Sequence, residues 1–592
     1  MDIKKGRVAL LITSIVALTV CLNFDTLFSL FSSRVMSVKV VPKDKLAEMT
    51  ADMEIRETGS GISVDTHPVA YDAPSNTYFI PQSLSEDHWE GFLTADKGKL
   101  YFADDKYLQD KRLAIAEGHV FRLYRVDKRG YSEYNVMFTG MPVISLVEES
   151  SSLEDGEIVM HGAAFVYDPY SDTANFQSEG CDFHVRGGTS YGYEKKSYKL
   201  EFTDKSLSLL GMRNDDDWIL NALYDDAGLI HNKMSVQVWE EIAFTNHVAN
   251  DEGFSSEYVE LFLNGEYCGV YALTERIDQK ELALGKRDIL YKCRAYRIPE
   301  EHNYSNEETD GMEPIFLLKY PKNFDEDDWE PLKDWVNMFL KGDMDTYEDG
   351  ASFLNMENAV DANLFCMLIG GTDNMRKNNF FIAEYQQDGR YQIKKVPWDM
   401  NASWGNPWVD IEECNYTKYD SEYYKNVSAW ISDMNTLYYF DREKVSALLY
   451  ERWSELRKEG VISKEKIFGM LDQQFGYLYS SGAYKRNFER WPNGTEYWSD
   501  EFIYEYAERR IDFLDDYYKT LYEDCTSPKI YDGVDYSAEF DTRYYWEANK
   551  EVLEELYPYD AEMLLEHYAL YGKPFGLNAF YDGGVAPGTI VE

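Results

Sequence analysis

Asp373, Asn378 and Asp399 fall within one stretch, TDNMRKNNFFIAEYQQDGRYQIKKVPWDMNASWG, running from Thr372 to Gly405. Asp373 and Asn378 reproduce D-x-x-x-x-N, the interval at which a phosphoryl-transfer loop carries a hydroxyl-orienting carboxylate and a metal-holding amide. Such chemistry needs one carboxylate to accept or orient the proton of the incoming hydroxyl. It also needs a carboxylate and an amide oxygen to hold Mg²⁺ against nucleotide phosphates. Asp399 supplies the second carboxylate, and Asn379, beside Asn378, leaves the amide's register open by one residue. The spacing alone is common, because Asp or Asn after a helical run is more often a cap or a turn. The elements around it must decide.

The run VDANLFCMLIGG before Asp373 reads as a helix, and NNFFIAEY and RYQIKKVPW read as two strands joined by a turn at Gln387–Gly389. A catalytic loop, a hairpin and an aspartate at its exit would deliver all three groups to one cleft. Upstream, KKSYKLEF alternates cleanly, with Tyr198, Leu200 and Phe202 on one face and Ser197, Lys199 and Glu201 on the other. Lys196 shares parity with the apolar set, which is costly for a lysine unless it meets an anion. WILNALYDDAGLIHNKMSVQVWEEIAF turns helical in its second half. YVELFLNGEYCGVYALTERID reads as a hairpin turned at Asn264-Gly265. Beyond residue 425, VSALLYERWSELRKEG and KEKIFGMLDQQFGYLYSSG are amphipathic helices.

With 592 residues, 44 % of them hydrophobic, and 48 tyrosines, the chain can fill several cores. Its net charge of −47 disfavours nucleic acid and anionic membrane surfaces and favours a cationic partner. The 7 cysteines and 9 histidines form no C-x-x-C or H-E-x-x-H pattern, which argues against a disulfide scaffold or a zinc site. No G-x-S-x-G elbow points to a serine hydrolase. At the N-terminus, Lys4, Lys5 and Arg7 precede an apolar run from Val8 to Leu22, shorter than the roughly 20 residues of a comfortable span. This pattern predicts a signal anchor, or alternatively a cleaved signal peptide, with the rest of the chain outside the cytoplasm.

The expected organisation is a signal segment over 1–34, a polar stalk over 35–66, a β-rich module over 67–134, a main domain over 135–524, and a linker with a small helical surface module over 525–592. Within the main domain, VRGGTSYGYEKKSYKLEF, WILNALYDDAGLIHNKM, LNGEYCGVYALTERID, DNMRKNNFF, VPWDMNASWG and AYKRNFERWP stand in the order in which they occur in the spore-coat protein H (CotH) family of atypical secretory kinases, which the chain resembles. The resemblance implies an α+β, protein-kinase-like bilobal fold. It further implies ATP and Mg²⁺ (or Mn²⁺) as cofactors, and a basic, serine-containing secreted or surface protein as acceptor. Asp373 falls on the family's catalytic aspartate, Asp399 on the principal metal ligand, and Asn378 or Asn379 on the second. A phosphate-contacting cation is expected from Lys196, with Lys199 and Arg186 as alternatives and Glu240 or Glu241 as its helix partner. Glu275 matches a position near the adenine. In place of a G-x-G-x-x-G loop stands only the short Gly187-Gly188-Thr189-Ser190, and Arg297–Trp329 reads as an acidic loop-like insert. Asp225, Asp226 and Asn232 occupy a family block whose role the residues themselves do not reveal. Some members of the family are surface adhesins, so a silent binding protein is the alternative, and a glycan or small-molecule acceptor is a third reading.

Overall fold

The computed structural model describes residues 34–587 except 129, 155, 172–174, 249–252, 296–303, 309–312, 372, 376, 407–431, 493–497 and 555–558. The N-terminal apolar segment expected as a signal anchor lies outside the described residues, as do parts of the acidic insert. Among the described residues no helix is long and apolar enough to cross a membrane. Helices and sheets are both abundant, and the fold class is α+β.

The chain divides into two compact units. The first gathers Met1–Tyr224, Glu257–Thr274 and Phe475–Pro492. It opens with an eight-stranded mixed sheet built from short strands between Arg34 and Thr139. Residues 35–66, expected as a stalk, are folded into this unit: they give strands to this sheet and to a separate three-stranded one, and the helix Lys43–Thr50 between them. Val38–Val41 pairs in parallel with Lys99–Ala103, and Val35, Val38, Ile62 and Val64 sit in its core beside Phe102, Leu123 and Tyr134. Strands of two to four residues are too short to show a period, which is why this region reads as merely polar. The same unit contains a closed seven-stranded barrel running from Val143 to Glu275. Its first strand pairs antiparallel with Glu157–Tyr167 and closes by pairing in parallel with Glu260–Leu263. The predicted alternation of KKSYKLEF is realised in Ser197–Phe202, where Tyr198, Leu200 and Phe202 enter the barrel core with Phe183, Trp218 and Leu273. The turn of the Ser256–Leu263 and Glu266–Glu275 hairpin has φ of 53° at Asn264 and 76° at Gly265, both left-handed as an Asn-Gly hairpin requires.

The second unit comprises Asp225–Ser256, Glu275–Gln474 and Asn493–Glu592. Its centre is the helix Met356–Ile369, which is buried from Asn358 to its end and carries an unbroken apolar run from Leu364 to Ile369. Asn355 caps its start by accepting from Asn358 N, and Gly370 ends it in the left-handed conformation at φ 61°. Asn358 binds Lys395 on both edges, donating to its carbonyl at 3.0 Å and accepting from its N–H at 2.7 Å. The helix is thereby tied to a four-stranded antiparallel sheet with the order Phe316–Tyr320, Ile289–Cys293, Asn379–Tyr385, Tyr391–Pro397. The last two strands are the predicted hairpin. The predicted amphipathic runs form Arg442–Lys458 and Lys464–Ser480.

The C-terminal segment, expected as a linker and a small helical module over 525–592, belongs to the second unit. The helix Asp500–Thr526 ends one residue beyond Cys525, and the tail after it has a core of its own around Phe540, Tyr545, Leu564 and Tyr568. Arg442 joins it there, donating to Asp541 Oδ2 at 2.7 Å and to the carbonyls of Phe540 and Ser537 at 3.1 Å.

On the far side of the central helix, Asp361 has no exposed side-chain surface and accepts from Arg452 Nε and Nη2 at 2.8 and 3.1 Å and from Asn246 at 3.0 Å. A buried ion pair costs most when one partner is removed and the other charge stays buried. Arg452→Met is expected to lower the unfolding free energy in denaturant titrations by about 3–5 kcal/mol. Glu455→Ala removes the exposed second partner of Arg452 and should change it by less than about 1 kcal/mol.

Candidate active site

Beyond Gly370 the chain makes a 3₁₀ turn at Asp373–Met375, turns again through Lys377 and Asn378, and enters a strand at Asn379. The register of the hairpin pairs Asn379 with Pro397, so Asn378 and Asp399 emerge side by side at the same end of two adjacent strands. Trp398 N donates to Asn378 O at 2.9 Å, and Asn378 N donates to Cys293 O at 3.2 Å. Asn378 and Asp399 both adopt φ of 57°, a left-handed conformation that Asn and Asp tolerate best among residues with a Cβ. Positive φ at two neighbouring strand ends turns both side chains out of the pleat toward Asp373. There Asn378 Nδ2 lies 3.3 Å from Asp373 Oδ2 and 3.4 Å from Asp399 Oδ2, bridging the two carboxylates. Which end of a side-chain amide faces a neighbour is an assignment, and a half-turn about χ2 puts Oδ1 in the same place.

Two other asparagines hold this geometry. Asn374 Nδ2 donates to Asn378 O at 3.2 Å and to Trp398 O at 2.7 Å, stapling the two segments together. Asn379 does not join the carboxylates: its amide donates to Asn374 O at 2.6 Å and is spent on the loop backbone. Of the two amides it is therefore Asn378, in the left-handed turn before the strand, that faces the carboxylates. Trp398 is wedged between Phe254 and Phe380, with ring centroids 4.5 and 6.0 Å away.

The block around Asp225 finds its purpose here. Asp226 accepts from Gly228 N at 3.1 Å, His231 N at 2.9 Å and His231 Nδ1 at 2.7 Å, closing the start of the helix His231–Ala243. On the first turn of that helix, Asn232 Oδ1 accepts from Met400 N at 2.9 Å, and Ser235 Oγ accepts from Trp404 Nε1 at 3.0 Å. Asp225 Oδ2 accepts from Asn401 Nδ2 at 2.7 Å. All three therefore hold the segment that follows Asp399.

Acidity is perturbed where the carboxylates gather. Burial pushes Asp373 up to about 6; the Lys377 ammonium beside it pulls the other way, and the charge of Asp399 adds to the rise. Burial, with the charges of Asp399 and Asp226, pushes Asp225 up to about 7. Groups of this kind, desolvated and facing other carboxylates, mark sites that work on charge. The donor set of two carboxylates and one amide oxygen fits a hard divalent cation such as Mg²⁺.

Of the other expected residues, Glu275 is buried and accepts from Ser255 N at 2.8 Å, and Glu240 is partly exposed on the His231–Ala243 helix. Glu241 pairs with Lys466 at 2.7 Å. Arg186, Lys196 and Lys199 belong to the first unit. Lys196 is not the buried lysine: its Nζ donates to Tyr191 O at 2.8 Å from a partly exposed position. Lys195 is buried instead, at 1 % exposure, donating to Val270 O at 2.5 Å and Asn487 Oδ1 at 2.9 Å, and burial draws its pKa down to about 7. The strand begins at Ser197, and residues before it do not follow its alternation. Lys199 pairs with Glu201 at 2.8 Å and Asp217 at 3.3 Å, while Arg186 lies opposite Ser197 at the strand end. Gly187 has φ of 128°, and Thr189–Gly192 form a short 3₁₀ turn. Lys377 and Asn374 were missed by the sequence reading, though both lie inside the D-x-x-x-x-N interval.

Both raised carboxylates lie above their ordinary value of 3.8, so the folded state binds protons more tightly than the unfolded chain. The stability this contributes is full below about pH 4 and is lost as pH rises through about 6 for Asp373 and about 7 for Asp225. In a chelator, Asp373→Asn or Asp225→Asn is therefore expected to raise the melting temperature at pH 7.5, with the gain shrinking toward pH 4. A second comparison separates the neighbouring amides. Asn379→Ala should lower stability by about 1 kcal/mol, whereas Asn378→Ala should mainly weaken Mn²⁺ binding measured by calorimetry.

Comparison with known protein families matches residues 183–520 to the family described as CotH kinase protein. A search of curated proteins finds no match to the chain. The matched span takes in Asp225–Asn232, the central helix, Asp373, Asn378 and Asp399, and more than half of the 592 residues. The chain belongs to the CotH kinase family.

Proposed function

We propose that the protein is an ATP-dependent kinase of the extracytoplasmic space, transferring the γ-phosphate to serine or threonine hydroxyls of secreted or cell-surface proteins. The observation that carries this reading is the convergence of Asp373, Asn378 and Asp399, with the Asn378 amide 3.3 and 3.4 Å from the two carboxylates. Asp399 and Asn378, through its Oδ1 after a half-turn, would hold Mg²⁺ or Mn²⁺. A bound divalent ion supplies neutralisation of the phosphate charge. Asp373 takes or orients the proton of the acceptor hydroxyl. Its pKa of about 6 suits a base that is ionised at neutral pH yet still able to accept a proton. Asn374 and Asn232 keep the two strand ends in place so that these groups need no reorganisation during transfer.

The finer calls rest on separate support. A kinase-like bilobal arrangement of the matched span is proposed from family membership. Attachment to the membrane, with the remainder outside the cell, follows from Lys4, Lys5 and Arg7 ahead of the apolar run Val8–Leu22. Secretion after cleavage is the alternative. The net charge of −47 favours a basic acceptor protein and no nucleic acid.

Incubating the full chain with labelled ATP and either Mg²⁺ or Mn²⁺ tests the proposal, with a basic serine-rich peptide and the protein itself as acceptors. Transfer is expected from the wild type, and Asp399→Ala and Asp373→Asn should each reduce it on the order of 10³-fold. No transfer and no nucleotide-dependent thermal stabilisation with either metal would sink the kinase reading. Activity surviving Asp399→Ala would sink the site assignment.

A further inference from the structure

Three side chains of the first unit that phosphotransfer leaves unused come together on the loop between Pro81 and Leu93. The ligand-type atoms of Glu86, His88 and Glu90 all lie within 4.8 Å of one another. Atoms bound about 2.1 Å from one ion stand at most about 4.2 Å apart, so only a small side-chain adjustment closes this set on a cation. The residues between them are turned elsewhere. Asp87 pairs with Arg112 at 2.9 Å, while Trp89 packs on Phe138 with ring centroids 4.3 Å apart and donates from Nε1 to Leu108 O at 3.1 Å.

The loop beneath the three is firmly held. Gln82 clasps Glu90 on both edges, accepting from its N–H and donating to its carbonyl, each at 2.9 Å. Lys111, at 3 % exposure, donates to the carbonyls of Ser83 and His88 at 2.7 and 2.8 Å. Its ammonium therefore makes its hydrogen bonds to backbone and not to the glutamates. Glu90 adds an independent sign that a cation belongs here. Its Oε1 is shut off from solvent and has no hydrogen-bond partner among the described residues. A carboxylate oxygen buried unmet is costly, and a metal ion removes the cost. Asp65 and His67 line the same cavity of about 860 Å³ as the three side chains, which leaves room for water or a further ligand on the ion.

We propose that Glu86, His88 and Glu90 form a binding site for a divalent transition-metal ion of the Zn²⁺ class. The imidazole selects such an ion over Mg²⁺ or Ca²⁺, whereas the all-oxygen set of Asp373, Asn378 and Asp399 in the second unit suits Mg²⁺. Three protein ligands leave at least one coordination position open. Glu-x-His-x-Glu is none of the spacings that announce zinc in a sequence, since here an irregular loop aligns the ligands.

Calorimetric titration of the full chain with Zn²⁺ in excess Mg²⁺ tests the proposal. The wild type should bind Zn²⁺ with a dissociation constant on the order of micromolar or tighter, weakened about tenfold or more by His88→Ala and by Glu90→Gln. Asp399→Ala, in the candidate active site, should leave this binding unchanged. So should His247→Ala, which removes another exposed histidine with a glutamate beside it, Nδ1 standing 3.8 Å from Glu357. If Glu90→Gln melts well below the wild type in a chelator, Glu86→Gln, at an exposed position, carries the same comparison. Zn²⁺ binding weaker than about 100 μM in the wild type overturns the proposal. Binding that survives His88→Ala and Glu90→Gln, or that falls equally in His247→Ala, shows adventitious capture by surface histidines and overturns it as well.

Discussion

Carboxylates held out of water within one another's fields repel, and the second unit is arranged to keep them together. Asp373 and Asp225 are both pushed up in pKa by burial and by the charge of Asp399. Left to itself the chain would relieve this by letting the strand ends splay into solvent. Asn374 prevents it, donating one side-chain amide to the carbonyls on both sides of the gap, at Asn378 and Trp398. Stability is given up here, as is common at functional sites.

The means of restraint reach outward through the unit. The central helix is buried from Asn358 to Ile369, which fixes it as the interior element, and Gly370 is where the chain turns toward the site. Asn358 locks that helix to the hairpin carrying Asn378 and Asp399. From the other direction, Asn232 and Ser235 grip the segment after Asp399, on a helix whose own start is closed by Asp226. Trp404 N donates to Ile369 O at 2.6 Å, so the segment that leaves the site returns to the helix that approached it. Asn358, Asn232 and Ser235 are neutral, and restrain the loops without adding further charge.

The first unit shows a different use of burial. Lys195 lies within hydrogen-bond reach of Asn487 Oδ1 and Val270 O and 4.6 Å from the centre of the Tyr271 ring. Arg486 pairs with Glu260 at 2.9 Å with both side chains buried. Both ties fasten Phe475–Pro492 to the barrel strands of its own unit. A lysine meeting only carbonyl-type oxygens and an aromatic face is held as a structural cross-link.

Legibility in the sequence followed the length scale of the signal. The hairpin, its Gln387–Gly389 turn, the central helix and the alternation of Tyr198, Leu200 and Phe202 could be read because period, turn residues and run length agreed. The short strands of 35–66 and the packing of the C-terminal tail could not, since two-residue strands carry no period and docking depends on partners such as Arg442, remote in the chain. For the site, the residue types and the D-x-x-x-x-N interval determined which chemistry was available. Whether Asn378 or Asn379 faces the carboxylates, and whether Lys195 or Lys196 is buried, only the tertiary structure decided. Each choice is one of parity, and parity is set by where a strand begins and by left-handed turns at Asn378 and Asp399 that hydrogen bonds from Asn374, Asn232 and Cys293 hold in place.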